Sequence, residues 1–94
     1  MIHDRISLAV VQKPETSSPG RLLEIEGPWA KLAVEGRNRF RPGDLVEFET
    51  GETLYLGEVE ISEVVEGEQR LKVHLEHSLD LEKTAWIQKL WNGG

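Results

Sequence analysis

An all-β fold, with six strands closing into a small antiparallel barrel followed by a short C-terminal α-helix, is predicted by three features of the 94-residue sequence. Six short runs alternate apolar and polar residues between turn signals, the spacing of an antiparallel barrel or sandwich. The stretch from Pro42 to Ile61 reads as two paired strands, the longer one bulged, which is how a small sheet curls. From Leu79 onward the apolar period changes from two to that of a helix.

The first strand is expected from Ile6 to Gln12, with Ile6, Leu8 and Val10 on one parity. Lys13 to Gly20, with two prolines and three hydroxyl residues, reads as a loop. Arg21 to Glu26 forms the second strand, with Leu23 and Ile25 set against Leu22, Glu24 and Glu26. Gly27-Pro28 turns the chain into a third, where Ala30, Leu32 and Val34 alternate with Lys31, Ala33 and Glu35. Pro42-Gly43 marks a turn, and Leu45, Val46 and Phe48 sit in alternation with Glu47 and Glu49 in the fourth strand. Gly51-Glu52 is the Gly-X pair of a type II′ hairpin, since glycine takes the positive φ without steric cost. In the fifth strand Leu54 and Leu56 share one parity and Val59 and Ile61 the other, so a bulge is expected at Gly57-Glu58. Glu66 to Gln69 turns, and Leu71, Val73 and Leu75 alternate in the sixth.

The helix is expected from Leu79 to Trp91, because Trp86/Leu90 and Ile87/Trp91 are i,i+4 pairs on adjoining stripes. Ser78 or Asp80 would cap its start, and Asn92-Gly93-Gly94 would stop it. A helix so short is marginal alone and must dock, either on the barrel or on the same helix of a second chain.

Ninety-four residues, 38% apolar and 30% charged, describe a single globular domain spanning 1–94 with a modest core. No apolar run approaches the ~20 residues of a membrane span. The N-terminus, Met-Ile-His-Asp-Arg, lacks the layout of a signal peptide. The absence of cysteine rules out disulfides and thiolate sites, and a cytoplasmic address fits best. The net charge of −6 is unevenly spread: residues 1–43 carry seven basic against five acidic side chains, and residues 44–94 carry four against twelve. An acidic second half repels phosphate backbones, so nucleic-acid binding is not expected. Against that background stand Arg37, Arg39 and Arg41, alternating so that an extended segment points all three to one side. They are either an anion grip or docking patch for an acidic partner, or a solvated turn that balances nearby carboxylates. Phe40 between them is a candidate core anchor on the opposite side.

The order of pieces resembles the PilZ domain family. The matching pieces are Gly20-Arg21-Leu22-Leu23-Glu24-Ile25-Glu26-Gly27, Arg41-Pro42-Gly43-Asp44-Leu45-Val46-Glu47-Phe48, Leu56-Gly57-Glu58-Val59 and Leu71-Lys72-Val73-His74-Leu75-Glu76. The resemblance implies a barrel with a C-terminal helix and a place in cyclic di-GMP signalling. The family's signalling members hold that dinucleotide with Arg-x-x-x-Arg before the first strand and Asp/Asn-x-Ser-x-x-Gly on the second. Here Arg5 is the only arginine ahead of the first strand, with Ala9 four residues on, and the second motif would fall on Glu24 to Trp29. Glu26 then replaces serine and Trp29 replaces glycine, which sets negative charge and an indole where the phosphates and a purine would rest. The resemblance therefore implies a scaffold that binds a protein partner instead of cyclic di-GMP. The alternative is an anionic-nucleotide sensor that uses Arg5 with Arg37, Arg39 and Arg41.

The remaining chemistry is sparse. His74, Glu76 and His77 do not converge in a regular strand, so no metal site is expected. The i,i+2 glutamate pairs read as the wet side of a sheet, and no serine lies in a nucleophile-elbow context. Neither an enzyme nor a cofactor is expected. Trp29, Trp86 and Trp91 are the candidate partner-binding aromatics, with Trp86 placed in the core by its stripe and Trp91 either a lid or an interface anchor.

Overall fold

The computed structural model describes residues 4–80, which form six strands: β1 (Asp4–Val10), β2 (Lys13–Glu26), β3 (Trp29–Val34), β4 (Leu45–Thr50), β5 (Thr53–Val65) and β6 (Glu68–Asp80). They close in the order β1-β2-β3-β6-β5-β4, every neighbouring pair antiparallel, and β4 returns to β1 through Leu8↔Phe48, Ala9↔Glu47 and Val10↔Val46. The all-β barrel expected from the alternation is thus the observed fold. Among the described residues there is no helix, and none is long and apolar enough to cross a membrane.

The inward parities pack one core. Ile6 and Leu8, then Leu32 and Val34, then Val46 and Phe48, then Leu71 and Val73 are all buried, with Tyr55 stacked on Phe48 at 5.3 Å between ring centroids. The turns follow their local chemistry. Gly51 has φ 61° while Glu52 is not in the positive-φ region, as a type II′ turn requires. Glu66 and Gly67 both have positive φ, so they alone make a type I′ turn, and Glu68 and Gln69, expected in that turn, already belong to β6.

Several expectations need correction, and three β-bulges account for most of the side-chain ones. In β2 the register shifts between Leu22 and Glu24, so Leu23 is the extra residue; Leu22 and Ile25 face the core, and Leu23 does not. Between β5 and β6 the shifts fall at Leu56/Gly57 and at Val59/Ile61, which makes Glu76 and Glu60 the extra residues. The bulge expected in β5 at Gly57-Glu58 is therefore displaced: beside Gly57 the extra residue is on β6, and the bulge of β5 itself, at Glu60, separates Val59, fully buried, from Ile61, which is turned out and half exposed. Each bulge reverses the alternation beyond it, because one residue is left without a partner opposite.

Lys13 to Gly20 is strand, not loop. The chain turns earlier, at Val11-Gln12 (Gln12 φ 67°), so β1 ends at Val10 rather than Gln12. The ladder then passes from Val10↔Lys13 directly to Leu8↔Ser18, which leaves Pro14 to Ser17 outside the regular register, where proline is tolerated. At the other end β6 continues to Asp80, with Leu79 opposite Leu54. Ser78 and Asp80 therefore sit in the sheet instead of capping a helix at Leu79. The rest of that predicted helix, including Trp86 and Trp91, lies outside the described residues.

Candidate functional site

Because β6 and β5 lie between β3 and β4 in the barrel, residues 35–44 must cross one barrel end. Short-range chemistry pins this crossing. The Asn38 side chain donates to the Thr16 carbonyl (3.1 Å) and the Ser18 hydroxyl (2.8 Å). Gln69, itself buried, accepts from the Phe40 amide at 2.8 Å and donates to the Asn38 carbonyl at 3.2 Å. Arg41 and Asp44 close the turn around Pro42-Gly43, with the Arg41 amide donating to Asp44 Oδ2 and the Asp44 amide to the Arg41 carbonyl. Asn38 and Phe40 are thereby held inward, and Phe40 is buried in the end of the barrel.

Arg37, Arg39 and Arg41 consequently all project to solvent, as their alternation predicted. Among the described residues the ion pairs are Arg21–Glu68, Lys31–Glu24 and Arg70–Glu68, so none of the three loop arginines neutralises a carboxylate. Arg39 lines a surface groove of about 440 Å³ together with Glu35, Val64, Glu66 and Gln69.

Arg5 is placed elsewhere. It lies in β1 directly opposite Arg21 of β2, on the outer face of the barrel. The same row continues through Ala33 to Arg70. Here Glu68 receives both Arg21 Nη2 contacts (2.9 and 2.8 Å) and Arg70 Nε (2.9 Å), forming a bridge over Ala33, which is buried although it faces outward. Sequence reading missed this cluster, because Arg21 and Glu68 are 47 positions apart and only the register unites them. Arg21 Nε is buried with no hydrogen-bond partner. Replacing Glu68 with glutamine should lower stability by about 1 kcal/mol, as expected for a partly exposed pair shared by two cations, read as a shift in denaturant midpoint. An unchanged midpoint would show that the bridge contributes nothing.

Trp29 lies half-buried at the start of β3, 4.9 Å from the His74 ring, with Lys72 Nζ 4.5 Å over the indole centroid. Glu24, Glu26, Pro28, Lys31 and Lys72 join it around a groove of about 370 Å³. The two carboxylates and the indole, read as obstacles to a dinucleotide, thus share one surface depression. Lys31 and Lys72 are directly opposed, an unfavourable like-charge pair, each with its own relief: Glu24 at 3.5 Å from Lys31 and the indole face for Lys72.

The histidines need one correction. The Glu76 bulge brings His77, opposite Leu56, to the same outer face as His74, opposite Glu58, although strict alternation would have separated them. Among the described residues no group of three or more histidines and carboxylates is arranged to hold a metal ion. Compared with family models, with curated proteins and with solved structures, the chain matches none.

Proposed function

We propose that this chain is a non-catalytic interaction module, a PilZ-like barrel that no longer binds cyclic di-GMP and docks an acidic protein partner in the cytoplasm. The observation that carries the reading is the arginine face of the barrel-end crossing. Three guanidinium groups project from a segment anchored by Asn38, Phe40 and Gln69, with no carboxylate partner among the described residues, on a chain of net charge −6. Cations left unpaired on an acidic protein, and held on a rigid support, favour association with a negative surface through complementarity and steering. The packed interior adds support: Phe40, Phe48, Leu8 and Leu32 fill the barrel, and the binding space is at its surface.

The alternative, a nucleotide sensor, needs Arg5 to work with Arg37, Arg39 and Arg41. The pairing of Arg5 with Arg21 gives that grouping less support.

A fluorescein-labelled glutamate-rich peptide tests the proposal by anisotropy. It should bind with an affinity that falls as salt rises, and the Arg37→Ala/Arg39→Ala/Arg41→Ala variant should lose at least tenfold. Calorimetric titration with cyclic di-GMP should give no isotherm, and a nucleotide panel should leave the melting temperature unmoved. Micromolar binding of cyclic di-GMP, or equal peptide binding by the triple variant, would overturn the reading.

A further inference from the structure

β5 outlasts its neighbour. Of its 13 residues only Thr53 to Glu58 pair with the six of β4, and Val59 then exchanges backbone hydrogen bonds with Gly43 and Asp44. Beyond that point Ile61 to Val65 are paired, among the described residues, on one side only, to β6. Among those residues the barrel is closed through its middle but leaves a half-edge open here.

The peptide groups on that edge follow from the turn. A two-residue type I′ turn at Glu66-Gly67 makes Val65 and Glu68 a hydrogen-bonded pair, and alternation makes Glu63–Arg70 and Ile61–Lys72 hydrogen-bonded pairs too. The N–H and C=O groups of Ser62 and Val64 then point away from β6, and among the described residues no other group bonds to them. The stretch also carries three of the five exposed large apolar side chains among the described residues: Ile61 at 50%, Val64 at 58% and Val65 at 36%. Edges left free in monomeric proteins are usually blunted by charged side chains, above all lysine, by proline, by bulges or by very short length, and here the Glu60 bulge precedes the edge and Glu63 lies on it. This one spans five residues and contains neither lysine nor proline.

We propose that Ile61–Val65 accepts an extended segment of a partner protein as an added strand, and that this segment carries a lysine or arginine with an apolar residue two positions away on either side. The chemistry comes from the outer face of the edge, where Ile61, Glu63 and Val65 present apolar, acidic and apolar groups in turn. Cross-strand partners of matching type stabilise such an addition, with backbone bonds supplying affinity and side chains the choice of sequence. The inner-facing residues of the incoming segment meet Val64 and the groove lined by Arg39. A second copy of the same edge is a poor occupant. The antiparallel register that sets Ile61 against Val65 puts Glu63 opposite itself, and like charges directly opposed destabilise the pair. The inference rests on the interaction-module reading and uses the backbone edge of β5, which adjoins the arginine face at Arg39 without needing its charge.

The test uses the whole chain and two synthetic peptides, Ac-Gly-Val-Thr-Lys-Thr-Val-Gly-NH2 and its counterpart with glutamate in place of lysine. In the free protein, amide exchange should be fast at Ser62 and Val64 and slower at Ile61, Glu63 and Val65. The lysine peptide should protect Ser62 and Val64, and the glutamate peptide should bind about tenfold more weakly, the order of a cross-strand attraction turned to repulsion. Glu63→Lys should reverse that preference. Val64→Pro should abolish binding without touching the β6 ladder, because the N–H it removes points outward. Failure of the lysine peptide to protect these amides, unreversed preference in Glu63→Lys, or a solution dimer with Ser62 and Val64 already protected would each overturn the inference. The triple arginine variant should still bind the lysine peptide. Loss there would refute the edge, while the module reading stands or falls separately by the glutamate-rich peptide.

Discussion

Phe40→Ala is expected to cost about 4 kcal/mol of unfolding free energy, the middle of the range for truncating a buried phenylalanine. The ring is 2% exposed and sits in the barrel end that residues 35–44 cross. Alanine removes the seal and leaves a cavity that the surrounding strands cannot close, because their spacing is set by hydrogen bonds to one another. The loss also loosens the Gln69 clip, whose Oε1 accepts from the Phe40 amide. For a domain of this size about 4–8 °C of melting temperature accompanies each kcal/mol, so the midpoint should fall by roughly 15–30 °C. Phe40→Leu should lose less than half as much. Thermal and urea melts followed by circular dichroism decide the matter. A Phe40→Ala protein that melts within a few degrees of the parent would mean that the ring does not plug the barrel.

Gly57→Ala should be nearly as damaging, for a reason unrelated to backbone freedom. Gly57 is not in the left-handed region, so alanine meets no torsional objection. The objection is space. A Cβ at this position would lie 2.5 Å from the His74 carbonyl oxygen and 2.7 Å from Val73 Cγ1. Gly57 lies opposite Leu75 between the Glu60 and Glu76 bulges, and the obstructing oxygen belongs to the backbone, so the strands themselves must move. Overpacking of this kind costs about 3 kcal/mol. Gly36→Ala is the useful contrast: its φ of 99° penalises a side chain, but nothing lies within 4 Å of the added carbon. It should lose only about 1–2 kcal/mol. Equal losses in the two variants would contradict the close crossing at Gly57.

Much of the barrel was legible because period-two alternation is a local property. Ala30, Leu32 and Val34 needed no partner to declare their inner face, and neither did Val46 and Phe48 or Leu71 and Val73. The arginine face was legible on the same ground, since Arg37, Arg39 and Arg41 alternate with Asn38 and Phe40. The bulged positions were less so. Leu23, Glu60 and Glu76 are extra only relative to the strand across from them, and a single run of sequence does not contain that strand. The false faces given to Leu23 and Ile61 share this origin, as does the separation of His77 from His74. Lys13 to Gly20 was misread by composition, because prolines and hydroxyls are frequent in loops and equally tolerated in an irregular ladder.

The candidate surfaces divide in the same way. That Arg5 would stand with Arg21, that Glu68 would bridge Arg21 and Arg70, and that Lys72 would lie on Trp29 are facts of register between residues far apart in sequence. So is the half-edge of β5 left open among the described residues, which exists because β4 is shorter and the chain reaches it by crossing the barrel end. The sequence by itself determined the all-β class, most inward-facing residues and the outward run of arginines, since steric alternation along one strand suffices for these. Only the tertiary structure decided the strand order, the bulges, the charge bridge and the unpaired edge, because each depends on which backbone lies across from which.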